Sequence, residues 1–385
     1  MKRALILVNV TGLLVGISYG LHGPILPVFA KNVIGASYTE IGLIGFANFI
    51  PYMFIPLFVG LLLDRFNNGY LLSIGVVINS TSVYLLSIAQ SVPEIMGFRI
   101  MTGIAHAFFW PPSVAIISNV SDGRQRVRNI ARFTGFFVAG FTIGPLIGSI
   151  LLENLDVSLR IVFQIAAFIL AFAIISSLSS SRYKIREHAA KFSFDAIREM
   201  KKFPHVIIML IYCTSTFGII LTVYPAFLND NSMSDVQIEM LFFIFGISRI
   251  ATLLVAGKLA RRTSHTLIAA AASIATGLLI SFGAESMIEF AVAFLFMGFG
   301  FSIFFPLTIE IILSKTRKEI SGTIIGSYET IFGIGWAIGP ISAGIISEIQ
   351  ANSTPYLIFF AIGIGVTILS IIKRKELEPK KNPNL

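Results

Sequence analysis

Charged residues are scarce in this chain. Asp, Glu, Lys and Arg make up only 13% of the 385 residues, whereas 55% of the residues are hydrophobic. A water-soluble protein of this length would carry about a quarter of its residues as charged side chains in order to cover its surface. The scarcity excludes a soluble globular protein and places the chain in lipid.

Other features of common protein classes are also missing. Cys213 is the single cysteine, which excludes an internal disulfide framework. The sequence has no Gly-xxxx-Gly-Lys-Ser/Thr phosphate loop, so it contains no ATPase of its own. The five histidines are scattered without metal-ligand spacing, and no nucleophile is arranged with a base. These absences predict a protein that is not an enzyme and that binds no cofactor or metal.

Long apolar runs fill most of the chain. Each is long enough to cross the ~30 Å hydrocarbon core of a bilayer, and a single segment in lipid must be a helix to satisfy its backbone. The sequence therefore predicts an all-α integral membrane protein with twelve transmembrane helices, at residues 4–29, 40–63, 70–89, 94–118, 130–152, 160–181, 205–228, 237–257, 265–284, 288–313, 321–347 and 354–372.

The lysine and arginine residues indicate the orientation. All of them fall in loops of one side except Lys31 and Arg160, in opposite loops, and Arg99 and Arg249, inside predicted helices. Cytoplasmic loops carry such an excess of basic residues. We therefore expect a multi-pass protein of the plasma (cell) membrane with both termini in the cytoplasm. The same bias accounts for the net charge of +9, so no nucleic-acid partner is expected.

A repeated motif divides the chain into two similar halves. Residues 140–148 read GFTIGPLIG and residues 335–344 read GWAIGPISAG. A shift of 195 positions superimposes four pairs of residues: Gly140 on Gly335, Gly144 on Gly339, Pro145 on Pro340, and Pro111 on Pro306. In a membrane chain, parallel repeats with helices interrupted by glycine and proline at matching places indicate a transporter with its site between the halves.

The predicted organisation follows from the repeat. Residues 1–181 form a six-helix bundle, 182–204 a cytoplasmic linker, 205–372 a second six-helix bundle, and 373–385 a cytoplasmic tail. In the linker, phenylalanines alternate with basic residues, as in Phe192, Phe194 and Arg198. That pattern is typical of a segment lying on anionic membrane lipid. A solvated linker is the alternative.

Several of these motifs resemble those of the major facilitator superfamily. The loop after the second helix reads GLLLDRFNNG over residues 60–69, similar to the family's Gly-xxx-Asp-Arg loop. Arg99, four residues before Gly103, resembles the family's intramembrane arginine motif. The segments 140–148 and 23–27 (GPILP) are similar to motifs of the twelve-helix drug:proton antiporter branch. The resemblance implies the family's fold of two pseudo-symmetric six-helix bundles and transport by alternating access.

The resemblance also carries two departures. It implies that Asp64 caps the cytoplasmic start of the eleventh predicted helix and latches the inner gate, with Arg65 in the same gating loop. A solvated loop acid is the alternative for Asp64, and the usual Gly-Arg-Lys ending of that loop is replaced here by residues 67–69. Antiporters of this branch often carry an acid in helix 1. This helix has none, which leaves the identity of the proton carrier open; His22 is one substitute.

Polar residues inside the predicted helices suggest a central pathway. A membrane arginine such as Arg99 costs ~2.5–3.5 kcal/mol on insertion scales, so it needs a partner or a wet cavity. His106 and Trp110 follow on the same helical face, and Tyr19 and His22 share a face of helix 1. We expect these side chains to face a cavity in which substrate and proton compete. The alternative is that Arg99 pairs locally and the histidines are structural.

Arg249 and Glu329 are two ionisable residues that lie well inside predicted spans of the second half. Each lies about eight residues, or ~12 Å, from the cytoplasmic end of its helix. Equal depth favours an ion pair, and protonation of Glu329 would break it and provide coupling. A static salt bridge is the alternative.

Glycines at four-residue spacing leave ridges without side chains on helices 5 and 11. Pro145 and Pro340 bend the same helices. We expect the ridges to let the halves rock against each other, with ordinary close helix packing as the alternative. The residues of this predicted gating element are Gly140, Gly144, Gly148, Gly335 and Gly339.

These features predict a monomeric secondary transporter that exports small, partly hydrophobic compounds in exchange for protons. The proton-carrier candidates are Glu329 first, then His106 and His22. One alternative is a carrier of a small organic anion or metabolite held by Arg99 and Arg249. Another is a membrane sensor that moves nothing.

Overall fold

The structure, a computed structural model, describes residues 2–63, 65–121, 123–182, 199–316 and 321–379. These residues form helices and, among the described residues, no strands. The helices are α1 (Lys2–His22), α2 (Ile25–Asn32), α3 (Tyr38–Leu63), α4 (Asn68–Ile88), α5 (Val92–Ala107), α6 (Trp110–Asn119), α7 (Gly123–Asn154), α8 (Leu159–Ser180), α9 (Pro204–Thr222), α10 (Tyr224–Asp230), α11 (Asp235–Leu259), α12 (Thr263–Gly283), α13 (Met287–Lys315), α14 (Ser321–Ile349) and α15 (Thr354–Ile372), with 3-10 turns at Ala260–Arg262 and Arg374–Leu377.

The helices make twelve membrane crossings, as the apolar runs predicted. Ten helical stretches of the described residues are long and apolar enough to cross a membrane. One of these stretches, Asp235–Gly283, contains both α11 and α12, and the apolar helix α3 supplies the twelfth crossing. Each of three crossings consists of two consecutive helices, namely α1 with α2, α5 with α6, and α9 with α10.

Proline accounts for the three interruptions. Proline has no N–H to donate, and its ring clashes with the preceding turn of a helix. The first crossing breaks at Gly23 and Pro24, the fourth at Phe108 and Phe109, two residues before Pro111, and the seventh at Val223, two residues before Pro225. The helices α7, α13 and α14 each continue through an internal proline.

Each half packs its helices in the same pairs. In the first half α1 packs against α7, α3 against α5, and α4 against α8. In the second half α9 packs against α14, α11 against α13, and α12 against α15. When the helices are numbered as crossings 1 to 12, the pairs of the first half are 1 with 5, 2 with 4 and 3 with 6. The pairs of the second half are 7 with 11, 8 with 10 and 9 with 12, so each number is higher by six. The two six-crossing bundles are therefore pseudo-symmetric.

The outside of the molecule is apolar. Leu254, Ile288 and Phe168 are 82%, 77% and 63% exposed, and many other large apolar side chains are exposed beside them. Water would disfavour such a surface, whereas the hydrocarbon of a bilayer matches it.

The two sides of the molecule are named here by the chain termini. The terminal face carries the start of α1 and the end of α15. The distal face carries the opposite loops, including those between α2 and α3, α10 and α11, and α14 and α15. Asp64, residues 183–198 of the predicted linker and residues 380–385 of the predicted tail lie outside the described residues. Arg65 is described and is exposed on the terminal face.

Candidate functional site

The two halves meet mainly through four helices. In the middle and distal parts of the molecule α3 packs against α14, and α7 packs against α11. These two contacts are related by the same six-crossing shift that relates the bundles. Among the described residues, the hydrogen bonds and ion pairs between the halves lie between the distal face and the level of Tyr52 and Glu329. The halves are thus closed together on the distal side.

Asp230, at the end of α10, is the centre of the distal contact. It forms an ion pair with Lys31 of α2. It also accepts hydrogen bonds from the Tyr38 hydroxyl at 2.6 Å and from Nδ2 of Asn352 at 3.1 Å. Partial burial disfavours the charged form of Asp230, but the bonds from Lys31, Tyr38 and Asn352 outweigh burial and hold its pKa below the usual value. Asp230 therefore joins the halves as a carboxylate.

A second acid completes the distal contact. Oε2 of Glu348, near the end of α14, accepts hydrogen bonds from the backbone N–H groups of Tyr38 at 2.8 Å and Thr39 at 3.4 Å. These N–H groups begin α3, where the helix dipole favours negative charge. Nδ2 of Asn32 also donates to Oδ1 of Asn229 across the halves, at 2.9 Å.

Below these polar contacts the two halves touch through backbone. A Cβ atom placed on Gly42 of α3 would lie 2.6 Å from the carbonyl oxygen of Pro340, and one on Gly45 would lie 2.8 Å from the Pro340 ring. One on Gly333 would lie 2.9 Å from the side chain of Met53. Pro340 thus lies at the contact between the halves, and the missing side chains allow that approach.

The glycine ridges mostly serve packing within each half. A Cβ atom on Gly144 would lie 2.6 Å from the backbone nitrogen of Leu21, and one on Gly140 would lie 2.8 Å from that of Ile17, both on α1. Gly335 and Gly339 face α9 in the same manner, against Thr214 and Ser215. These four glycines therefore do not form the surface between the halves expected from the sequence, because they are used to bring helices of one bundle together. Gly148 is the exception, since it faces Glu239 of α11.

An aromatic cluster bridges the halves in the middle of the molecule. The ring of Trp336 on α14 lies 5.0 Å from Phe49 and 5.5 Å from Tyr52, both on α3. It also stacks on Phe217 of α9 at 5.9 Å and contacts Phe332 at 4.7 Å. Trp336, Tyr52, Phe217 and Phe332 are partly exposed, so their rings line an interior space. The indole nitrogen Nε1 of Trp336 has no hydrogen-bond partner.

Glu329 lies beside this cluster. Its Oε2 accepts a hydrogen bond from the Tyr52 hydroxyl at 3.0 Å, so the bond joins α14 to α3 of the other half. Glu329 is partly exposed although it lies about eight residues, or ~12 Å, inside α14. An intramembrane acid that is both accessible and bonded across the halves can exchange a proton or meet a cation.

The expected ion pair between Arg249 and Glu329 is absent. The guanidinium of Arg249 instead lies over the rings of Phe217 at 5.2 Å, Phe245 at 5.6 Å and Phe141 at 5.7 Å. Cation–π attraction to three rings replaces the acid as its partner. The sequence prediction was wrong here because equal depth on two helices does not fix the direction in which either side chain points.

In the first half the structure gathers a second group of polar side chains. The ring of Tyr19 lies 5.3 Å from that of His22 and 4.8 Å from that of His106, so α1 and α5 contribute to one cluster. Nδ1 of His22 contacts the carbonyl oxygen of Ser18 at 2.5 Å. Arg99, on α5, is only 5% exposed, and its Nε and Nη1 atoms have no partner. Such unpaired nitrogen atoms inside a membrane protein are unusual and favour a functional cavity.

Trp110 does not continue this cluster. The predicted stripe of Arg99, His106 and Trp110 assumed one uninterrupted helix, but the break at Phe108–Phe109 separates Trp110 from it. The Trp110 ring instead contacts Phe133 at 5.4 Å and Phe137 at 5.0 Å, both on α7. This packing gives Trp110 a place in the wall of the first bundle.

Residues that escaped the sequence prediction include Trp336, Asn48, Tyr52 and Asp230. Trp336 lies inside the repeated motif, directly after Gly335, so attention to its side chain could have found it. Asn48, buried with both amide atoms unpartnered, lies three residues before a proline of α3. Tyr52 and Asp230 carried no local signal, because their partners are 277 and 199 residues away in the sequence. The described residues contain no His, Cys, Asp and Glu group suited to a metal ion.

Comparison with known proteins agrees with this architecture. Residues 8–340 and 206–385 match the sequence profile of the Major Facilitator Superfamily. The quinolone resistance protein NorA of Staphylococcus aureus (strain COL) is 24% identical over 387 residues, covering 96% of both chains. The crystal structure of the nucleoside transporter NupG superposes with a TM-score of 0.77 at 16% identity, covering 96% of this chain and 98% of that one. A bacterial homologue of the human lysosomal transporter Spinster, in an inward-facing and unoccupied conformation, superposes with a TM-score of 0.77 at 14% identity, covering 99% and 98%.

Proposed function

Because the chain belongs to the major facilitator superfamily and is a multi-pass membrane transporter, we propose that it exports small, partly hydrophobic compounds from the cell in exchange for protons. The terminal face then lies in the cytoplasm and the distal face outside the plasma membrane, in keeping with the basic loops. In this orientation the described conformation is closed towards the outside of the cell. The name of the relative NorA, a quinolone resistance protein, supports export.

The aromatic cluster around Trp336 is the proposed substrate site. Rings from both halves surround it, with Phe49 and Tyr52 on one side and Phe217 and Phe332 on the other. Such walls bind flat apolar compounds through surface burial and aromatic contacts without requiring one chemical structure. A site built from both halves is also remodelled whenever the halves move, which alternating access requires.

Glu329 is the proposed coupling residue, and its bond to Tyr52 is the observation that carries the proposal. Ionised Glu329 attracts a cationic or hydrogen-bonding substrate, whereas protonated Glu329 loses that attraction. A proton and a substrate thus compete for one carboxylate. Because Tyr52 belongs to the other half, movement of the halves breaks the bond and changes the surroundings of the acid. His106 and His22 remain alternative proton carriers in the first half.

Reconstituted protein tests this proposal. A fluorescent lipophilic cation is added outside proteoliposomes that carry a pH gradient across their membrane. Its accumulation inside is followed for wild type and Glu329→Gln. We expect the variant to lose gradient-driven accumulation but to retain exchange of labelled for unlabelled substrate at equal pH, because exchange moves no net proton. His106→Gln is the matched variant for the alternative proton carrier in the first half.

Three outcomes would contradict the assignment. Accumulation by Glu329→Gln on a pH gradient would make Glu329 structural. A wild type that exchanges substrate but ignores the pH gradient would rule out proton coupling. A wild type without any flux would favour the membrane sensor.

Transport of a small organic anion is the second candidate. It is favoured by the guanidinium nitrogen atoms that lack protein partners, Nε and Nη1 of Arg99 and Nε of Arg249. Arginine binds carboxylates through paired hydrogen bonds, and unpaired donors are available for a ligand. In the liposome assay this reading predicts exchange of carboxylates that is lost in Arg99→Gln and Arg249→Gln.

A further inference from the structure

Glu239 has no role in the transport proposal, yet its surroundings are unusual. It lies on α11, about four residues, or ~6 Å, from the distal end of that helix. Its side chain is fully buried, and neither carboxyl oxygen has a hydrogen-bond partner. Buried carboxylates in proteins are normally paired or hydrogen-bonded, because water no longer solvates their charge. This carboxyl group therefore requires an explanation.

The carboxyl group lies directly on the contact between the halves. A Cβ atom on Gly148 of α7 would lie 2.8 Å from both Cδ and Oε1 of Glu239. Gly148 is the last glycine of the repeated motif, and its missing side chain makes the space that the carboxyl group occupies. Since α7 belongs to the first half and α11 to the second, this space exists only while the distal side is closed.

No cation is available to pair with Glu239 among the described residues. Asp235, on the same helix, has the same sign of charge. The charged groups that α7, α2, α10 and α13 place towards the distal face are engaged or exposed: Glu153 is exposed on α7, Lys31 of α2 is paired with Asp230 of α10, and Glu289 of α13 caps its own helix. Arg249 lies about ten residues, or ~15 Å, further along α11 and is occupied by aromatic rings.

We propose that Glu239 is a proton-binding site that is loaded from the distal side and that permits the distal side to close. With the distal side open, α7 and α11 separate there, water reaches Glu239, and the carboxyl group ionises. For the distal side to close, Glu239 must bind a proton, because only the neutral form of its carboxyl group fits the dry contact with Gly148. The proton goes from distal water to the carboxylate, and reopening returns it to the same side.

This proton site rests on the alternating access proposed above but not on its substrate or on Glu329. Closing takes up as much as one proton, so the ratio of distal-closed to distal-open molecules rises by up to about tenfold for each unit fall in pH. Asp230 does not produce this response near neutral pH, because its lowered pKa keeps it ionised. Its protonation at low pH would moreover act in the opposite direction.

The test measures conformation rather than transport. Spin labels at Leu155→Cys and Glu285→Cys, exposed at distal ends of different halves, report the distal separation in a Cys213→Ala background. Distance distributions are recorded from about pH 8 to about pH 5, a range chosen around ordinary carboxyl and imidazole titration. We expect the wild type to shift towards the short, closed distance as pH falls. Glu239→Gln is neutral and nearly isosteric, so it should stay closed at every pH, whereas Glu153→Gln, which neutralises an exposed distal acid, should respond like the wild type.

Clear results would overturn the proposal. A Glu239→Gln protein that keeps the wild-type pH response, or that is open throughout, would exclude a proton switch at this residue; so would a wild type whose distal distance ignores pH. If Glu239→Gln fails to fold, Gly148→Ala replaces it. Its methyl group displaces the carboxyl group and should shift the distance towards open at every pH, and an unchanged distance would contradict the contact. If the wild type transports nothing in liposomes but its distal distance still responds to pH, the proposed export is rejected and the proton site at Glu239 is retained.

Discussion

Replacing Asp230 with asparagine should weaken the distal closure by a measurable amount. The substitution removes the charge that attracts Lys31 and weakens the bond from the Tyr38 hydroxyl, while its amide oxygen still accepts one hydrogen bond. A partly exposed ion pair contributes ~0.2–1 kcal/mol, and a hydrogen bond to a charged group contributes ~1.5–3 kcal/mol when it is well buried. Because Asp230 is about one-third exposed, we take the lower part of these ranges and expect a loss of ~1–2 kcal/mol.

That loss translates directly into a population shift. A change of ~1–2 kcal/mol lowers the ratio of distal-closed to distal-open molecules by about 5- to 30-fold. The same pair of spin labels at Leu155→Cys and Glu285→Cys measures it as growth of the long-distance population. Glu153→Gln is the matched control, because it also neutralises a distal acid but one with no described contact across the halves. It should leave the distribution unchanged.

A double-mutant cycle separates the ion pair from other effects. Lys31→Met should open the distal side by less than Asp230→Asn does, because the hydrogen bond from Tyr38 survives. The double variant should be less open than the sum of the two single changes, by the coupling energy of the pair. Strict additivity, or an Asp230→Asn protein as closed as the wild type, would refute the reasoning that Asp230 holds the halves together.

The sign of the pH effect of Asp230 follows from its lowered pKa. A carboxyl group that titrates at lower pH in the closed than in the open state stabilises the closed state above the ordinary value of about 3.9, and this contribution disappears as pH falls through the lowered value. The Asp230→Asn defect should therefore be fully present near neutral pH and shrink in strong acid.

Three further outcomes are expected. Gly144→Leu should lower the melting temperature, because its Cβ would lie 2.6 Å from the backbone of α1 and overpacking costs ~1–3 kcal/mol. Gly135→Leu is the control; no atom lies within 4 Å of a Cβ at that position, so this variant should melt like the wild type. A cysteine at Glu285 should react with an impermeant maleimide in intact cells and one at Arg261 only after permeabilisation; the reverse pattern would invert the proposed orientation. Trp336→Ala should weaken binding of an aromatic substrate about 3- to 10-fold in a fluorescence titration, since an aromatic pair contributes ~0.5–1.5 kcal/mol beyond burial; unchanged affinity would move the substrate site elsewhere.

Much of the fold could be predicted from composition and spacing. Twelve crossings follow from the apolar runs, because lipid leaves the backbone no other way to bond. The interruptions at Gly23 and Phe108 were not predicted, since the apolar pattern runs through them. Pro306 shows why proline alone is a poor guide, because α13 continues through it while the fourth crossing breaks before the matching Pro111.

The site was predicted less completely, for a geometric reason. Sequence position gives the depth of a residue along its helix but not the direction in which its side chain points. Arg249 and Glu329 illustrate this limit, since they share a depth and yet bind rings and Tyr52 respectively. Tyr19 and His106 could be selected from the sequence because both lie in spans where polar side chains are rare, and the structure brings their rings within 4.8 Å. Asp230 was missed because loop residues that pair over long sequence distances leave no pattern.

The distal contact also determines which halves can pair with each other. The first half contributes hydrogen-bond donors, namely Lys31, the Tyr38 hydroxyl and the N–H groups that begin α3, while the second half contributes the acceptors Asp230 and Glu348. A chain built from two similar halves risks pairing like with like, either with itself during synthesis or with a neighbouring copy. Two first halves would oppose lysine to lysine, and two second halves would oppose acid to acid. Only unlike halves match, so the charge distribution selects the correct partner by repulsion as well as attraction.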